Sequence, residues 1–361
     1  MKIITKCLLI FLISGCANIV MPDGGGKDIS PPQILKIKNI INENKKGMQT
    51  ISFEFDEYFN LNKWEEYFYT SPPTNKRLQP NIKGKTLLIN IDEELNVDDT
   101  YYFSLNYCIK DNNEGNILDT LSYTLAPKNI FDTLSLSGNL VDAYTLMPQK
   151  NAWVLLYKNT INDSLIFNSL PNYIAKTDKN GLFNFPNLKN REYKIVSITG
   201  LNFNYDNEEK IAFLDRLVNA KNDTFISLLA FNPNIDKTKD SLIYIADTAD
   251  LTLTQSSVDK KEKNGQGNLE LVTNISSSCI FQLLQNEKVI KEVSFDHKPY
   301  IIDSIPPGNY QIKYISDENN DDIWNTGNWD NKILPEKVKN YASEITIRAN
   351  WDLELEWTII K

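Results

Sequence analysis

Oxygen-bearing side chains at alternate positions are the one pattern in this sequence that could do site chemistry. In Asp317-Glu-Asn-Asn-Asp-Asp-Ile-Trp-Asn-Thr-Gly327, the side chains of Asp317, Asn319, Asp321 and Asn325 fall at positions 1, 3, 5 and 9, and Ile323 offers its carbonyl at position 7. Hard oxygen ligands spaced in this way can wrap one Ca²⁺. Two parts of such a loop are missing, because Asp322 stands where the turn glycine belongs and Asn328 where the closing acidic residue belongs. The expected binding is therefore weak. The alternative is an Asn- and Asp-rich surface turn closed by bonds from side chain to backbone.

Catalysis can be addressed by inventory. The chain has one histidine, His297, in Asp296-His-Lys-Pro299, so paired histidine metal ligands are excluded and a Ser-His-Asp triad could be built only there. Its neighbours read as an exposed loop. A two-carboxylate glycosidase needs no histidine, yet nothing singles out a pair among 47 acidic residues. Trp64, Tyr67, Phe68, Trp324 and Trp329 could stack on a sugar or pack within sandwiches. Gly24-Gly25-Gly26-Lys27 lacks the strand, helix and hydroxyl residue that a phosphate loop requires. A net charge of -9 argues against nucleic acid, which binders neutralise with clustered Lys and Arg. No catalytic residue is assigned, the chain is expected not to be an enzyme, and no small-molecule substrate is expected.

Covalent chemistry is expected at Cys16. Lys2 and Lys6 precede a short apolar run at residues 7–13, too short for a bilayer that needs about 20 apolar residues. Ile13-Ser14-Gly15-Cys16 follows and resembles the bacterial lipobox, in which the cysteine thiol carries diacylglycerol and becomes the new N-terminus. Two acyl chains give stable anchoring where one gives marginal binding. Residues 1–15 then form a signal peptide and residues 16–30, rich in Gly and polar residues, a lipidated tether. Of the four cysteines only Cys108 and Cys279 would remain in the ectodomain, each among apolar neighbours and read as a buried, inert thiol, with a disulfide between them as the alternative.

The elements that must position these residues are strands. Apolar residues alternate at Ile51, Phe53 and Phe55, at Leu87, Ile89 and Ile91, and at Tyr101, Phe103, Leu105 and Tyr107, between turn-rich clusters. The fold class is all-β, with three tandem β-sandwich domains behind the signal peptide and tether. The units are residues 31–130, 131–232 and 269–361, with a polar linker or loop at residues 233–268. Asn180-Gly181 lies between two alternating runs and predicts a hairpin. Leu188, Tyr193, Ile195 and Ile198 recur about 117 positions later as Ile305, Tyr310, Ile312 and Ile315, so the third unit is expected to repeat the second with its inward face unchanged. Residues 208–218 are the one plausible short helix.

Several of these runs resemble known families. Ile51-Ser-Phe-Glu-Phe-Asp-Glu57, Lys85-Thr-Leu-Leu-Ile89, Asp99-Thr-Tyr-Tyr-Phe103 and the turn at residues 111–116 resemble, in that order, the SbsA-type bacterial Ig-like domain. Residues 175–185 with Leu188, Tyr193 and Ile195 are similar to the carboxypeptidase regulatory-like domain, a transthyretin-type sandwich. That resemblance implies a spacing module without catalytic residues. As a whole the chain resembles lipoproteins of Bacteroidota, which implies an outer-membrane anchor through Cys16, on the periplasmic or surface face, and an envelope protein partner. The expected function is a non-enzymatic scaffold or adhesive module of an outer-membrane complex; the alternative is a carbohydrate-binding or carbohydrate-cleaving envelope lipoprotein. Asp-Ser/Thr-aliphatic triplets, as at Asp119 and Asp303, resemble O-glycosylation acceptors of that group.

Overall fold

The computed structural model describes residues 26–41, 48–200, 202–206, 208–234 and 265–360. Cys16, the signal peptide and most of the expected linker (residues 235–264) lie outside the described residues.

The first domain is built from β1 (Ile34–Ile41), β2 (Gln49–Phe55), β3 (Phe59–Leu61), β4 (Tyr69–Ser71), β5 (Pro80–Lys83), β6 (Thr86–Ile91), β7 (Tyr101–Ser104), β8 (Ile109–Asp111) and β9 (Ser122–Leu125). Its sheets run β1-β2-β6-β5 and β4-β7-β9, with β3 and β8 forming a short pair. The period of two explains the core. Ile51, Phe53 and Phe55 on β2 and Leu87, Ile89 and Ile91 on β6 are all buried, while Glu54 and Asn90 between them face water. Each such side chain contributes about 1.5–3 kcal/mol on burial. A single helical turn, α1 (Trp64–Tyr67), puts Trp64 into this core, stacked on Phe68 at 4.1 Å between ring centroids.

The second domain comprises β10 (Leu134–Asp142), β11 (Trp153–Lys158), β12 (Tyr173–Lys176), β13 (Leu182–Leu188), β14 (Tyr193–Ile198), β15 (Ile211–Phe213) and β16 (Phe225–Ala230). They form two sheets, β13-β10-β16 and β12-β11-β14-β15. The third has β17 (Gly267–Thr273), β18 (Cys279–Gln285), β19 (Lys288–Phe295), β20 (Tyr300–Ile305), β21 (Gly308–Ser316), β22 (Val338–Asn340), β23 (Ile345–Ile347) and β24 (Asp352–Trp357). Its sheets are β20-β17-β24 and β19-β18-β21-β22, the same order strand for strand, with β23 as an addition on β21. In both units the last strand runs parallel to the first, β16 beside β10 and β24 beside β17. Tyr193 and Tyr310 are both buried, and each hydroxyl donates to the carbonyl four residues earlier, Lys189 and Pro306. The repeated residues therefore occupy repeated positions.

Three expectations are corrected. Residues 208–218 hold no helix; Ile211, Ala212 and Phe213 form β15, because pairing with Val196–Ile198 buries all three, which a solvent-facing helix could not do. Asn180-Gly181 does make a tight turn, with the Asp178 carboxylate accepting the amides of Asn180 and Leu182. It is not a hairpin, however, because β12 pairs with β11 while β13 crosses to β10 in the opposite sheet, where Phe183 and Phe185 fill the core. Ile198 and Ile315 are buried but not on the inward face; they lie on the outer side of their sheets, an odd number of residues from Tyr193 and Tyr310.

Cys108 and Cys279 are free and buried in the first and third cores, and burial pushes each thiol up to about 12. Gly138 lets β10 and β16 approach: a methyl there would strike the Ile226 carbonyl oxygen and lie 2.5 Å from the Phe183 ring. Gly138→Ala is expected to cost about 1–3 kcal/mol of stability in a urea melt of the chain.

Candidate functional site

The β12-β11-β14-β15 sheet is apolar on both faces. Val154, Leu156 and Ile195 point into the second core, and Trp153, Leu155, Tyr157, Val196, Ile198 and Phe213 form a second buried layer on the outer side. A sheet coated this way needs cover on both sides. The cover comes from three places. Tyr69 of the first domain meets Trp153 edge to face at 5.7 Å, the domain's own Phe167, Phe203 and Tyr205 fill the middle, and Trp324 and Trp329 arrive from the third domain.

Those two tryptophans lie on the segment between β21 and β22, which begins with the Asp317 loop. The structure brings all five expected calcium residues together there. Asp317, 4 % exposed, accepts the amides of Asp321 and Asp322 on its two oxygens, both at 3.1 Å. Asn319 donates to Asp321 at 2.8 Å, and the Asn325 amide reaches both Asp321 oxygens at 2.9 Å and the Ile323 carbonyl at 3.2 Å. Asn320 and Asp322 adopt left-handed φ values of 58° and 63°, a conformation Asn and Asp tolerate. The sequence reading missed Glu336. Its buried carboxylate accepts the amides of Glu318 at 2.8 Å and Asn325 at 2.7 Å, tying the end of the segment to its beginning. Burial holds that carboxyl above its ordinary pKa against those two amide bonds, and Asp317 and Asp321 push it in the same direction as burial. Glu336 is the one acidic residue between Asp330 and Glu344, which was its only trace in the sequence. Among the described residues, no group of three or more His, Cys, Asp or Glu side chains is placed to hold a metal ion.

Closed in this way, the segment seats on the second domain. Trp324 packs on Tyr144 at 5.0 Å and donates its indole N–H to the Glu336 carbonyl. Gly327 lies against the Phe231 ring, 2.5 Å from where a methyl would sit, and Thr326 donates to the Asn232 carbonyl at 2.9 Å. Trp329 fills the space between Phe167 and Phe213 at 5.4 and 5.3 Å, and Lys332 covers its other face. Beside them Lys313 of β21 lies 4.2 Å from the Tyr144 ring centroid and donates to the Tyr144 carbonyl, and Gln282 donates to the Tyr144 hydroxyl. Desolvation at this junction pulls Lys313 down to about 8, with Asp142 acting the other way.

The first junction is polar and closely bonded. Ser71 accepts the Ile174 amide through its hydroxyl at 3.0 Å, Lys176 donates to the Glu66 carbonyl, and Lys189 pairs with Asp99. A cleft of about 380 Å³ opens beside it, lined by Tyr67, Tyr69, Tyr107, Asp119, Lys176 and Asp178 among others. Of the five aromatics considered for a sugar platform only Tyr67 reaches it, and its ring is tilted 55° to Tyr107. Trp64 and Phe68 are core, and Trp324 and Trp329 are junction residues. His297 is exposed in the turn before β20.

These features define a tandem β-sandwich protein. Residues 28–125 match the family described as the bacterial Ig-like domain, which spans the first of the three units. No curated protein matches the chain. Among solved structures, the major pilin subunit BcpA of Bacillus cereus is 12 % identical over 56 % of this chain and 71 % of its own, with a TM-score of 0.18. The Bacillus anthracis TIE protein is 11 % identical over 94 % of this chain and 58 % of its own, also at 0.18. Native alpha-2-macroglobulin from Escherichia coli, spanning domains MG0-NIE-MG1, is 8 % identical over 79 % and 94 %, at 0.21. Scores this low carry no statement about function.

The buried Lys313 gives the second junction a pH signature. An unfolded lysine titrates near 10.4, so above about pH 8 the unfolded chain holds a proton that the folded chain lacks. Stability is therefore expected to rise by about 2 kcal/mol as pH climbs from 7.5 to 9.5. Denaturant melts across that window check it, and Lys313→Met should flatten the rise.

Proposed function

We propose that the chain is an envelope lipoprotein, held to the outer membrane by lipid on Cys16, and that it works as a non-enzymatic scaffold for a protein partner. The observation that carries this reading is the bonding across both junctions. Side chains of the first and third domains cover the outer face of the second domain's β12-β11-β14-β15 sheet, so the three sandwiches are packed against one another. A scaffold needs fixed spacing between its parts, which packing of this kind supplies. The lipobox residues and the Gly-rich tether support the anchor, and the repeated topology of the second and third units fits spacing modules of the carboxypeptidase regulatory-like kind. A pull-down from solubilised membranes, using the lipidated protein and a Cys16→Ala control, is expected to recover a stoichiometric partner that the control loses. Recovery of the lipoprotein alone would overturn the scaffold reading in favour of carbohydrate binding at the cleft beside Tyr67 and Tyr107.

The Asp317 loop is assigned only weak calcium binding. Its carboxylates are bonded to the loop's own amides, and Glu336 closes the segment through two more. Titration followed by thermal melting should show no stabilisation until Ca²⁺ reaches about 10⁻⁴–10⁻³ M, the range of weak extracellular sites. A micromolar response would overturn the assignment of weak binding.

A further inference from the structure

Two open sheet edges lie at opposite ends of the chain and carry opposite charge. In the first domain β1 pairs only with β2, and in the third β24 pairs only with β17, among the described residues. β1 reads Ile34-Leu-Lys-Ile-Lys-Asn-Ile-Ile41, eight residues long, with Leu35, Ile40 and Ile41 at 65, 52 and 69 % exposure. Lys36 and Lys38 project from its solvent face, opposite Glu54 and Ser52 of β2, while Ile37 and Asn39 turn toward the core. β24 reads Asp352-Leu-Glu-Leu-Glu-Trp357. Asp352, Glu354 and Glu356 project outward beside Glu270 of β17, while Leu353, Leu355 and Trp357 turn inward and stay half-buried. One edge thus alternates apolar and basic residues, the other apolar and acidic.

An unpaired strand edge is a template for another strand, and proteins that must stay monomeric blunt it with charge. Charge of one sign blocks an edge from pairing with its own kind, but these two edges are complements. Set antiparallel, Lys36 would face Glu356 and Lys38 would face Glu354. The same register puts Ile37 opposite Leu355 on the inward side. Opposite charges directly across a strand pair stabilise it, and the apolar positions would lose their water together.

We propose that β1 of one copy adds to β24 of a second copy, so that the chains join head to tail through a strand pair selected by Lys36 and Lys38 against Glu354 and Glu356. Such a contact is heterologous: a joined pair still has one free β1 edge and one free β24 edge, and the assembly grows instead of closing as a dimer. The inference deepens the scaffold reading and rests on it, since copies anchored on one membrane meet at high effective concentration.

Sedimentation velocity on the exported chain carrying Cys16→Ala tests it. The weight-average sedimentation coefficient should climb as protein rises from about 1 μM to about 1 mM. Lys36→Glu/Lys38→Glu and Glu354→Lys/Glu356→Lys should each sediment as monomers, and an equimolar mixture of the two should associate again. All four positions are exposed, and a thermal melt of each variant confirms folding. If the glutamates unfold β1, Lys36→Gln/Lys38→Gln serves in their place, with weaker association expected. A chain that stays monomeric throughout, association that survives the charge reversals, or a mixture that fails to associate would each overturn the proposal. None of these outcomes touches the membrane pull-down, which a monomeric scaffold would still satisfy.

Discussion

The two-faced burial of the middle domain's β12-β11-β14-β15 sheet is the constraint on which the rest of the chain's arrangement depends. Trp153, Leu155, Tyr157, Val196 and Ile198 could not be left in water, because a patch of that size on a free surface invites association. The domain cannot cover them alone, since its own Phe167, Phe203 and Tyr205 reach only part of the layer. Neighbours at both ends complete the cover, and the middle unit acts as the keystone between them.

That constraint gives the acidic loop a structural reading. Asp317 and Glu336 accept four backbone amides of the segment, and the resulting closed segment delivers Trp324, Gly327 and Trp329 to the places where the middle sheet is open. The oxygens that the sequence offers to an ion also close the loop on its own backbone. Lys313 is the energetic counterweight. Its ammonium loses water to let Tyr144 and Gln282 meet across the junction, and the ring and carbonyl of Tyr144 return part of that cost.

Much of this was legible in the sequence, and the reasons it was so are physical. Alternation at Ile51–Phe55 and Leu87–Ile91 fixes which face of each strand is wet, so the first core could be read directly. The repeat of Leu188, Tyr193 and Ile195 predicted a shared topology because those side chains have the same neighbours in both units. What failed was anything set at a distance. Asn180-Gly181 specifies a turn but not which sheet receives the next strand. Residues 208–218 carry acceptable helix formers, and only the open edge of β14 makes Ile211–Phe213 a strand. Glu336 could not be assigned to the Asp317 loop, since the segment between them is ordered by contacts with a different domain. The continuous run Trp153–Tyr157 did hold a clue: a strand apolar at every position is covered on both faces.

The parallel pairing of first and last strands has a mechanical consequence. In the second domain β10 lies beside β16 through six residue pairs, and in the third β17 lies beside β24 through six. A pull on the two ends of either domain draws these neighbours in opposite directions along their length, so the hydrogen bonds between them are loaded in shear and must yield together. Two such clamps act in series along the chain. A protein built this way bears tension along its length at two load points, one in each of these domains.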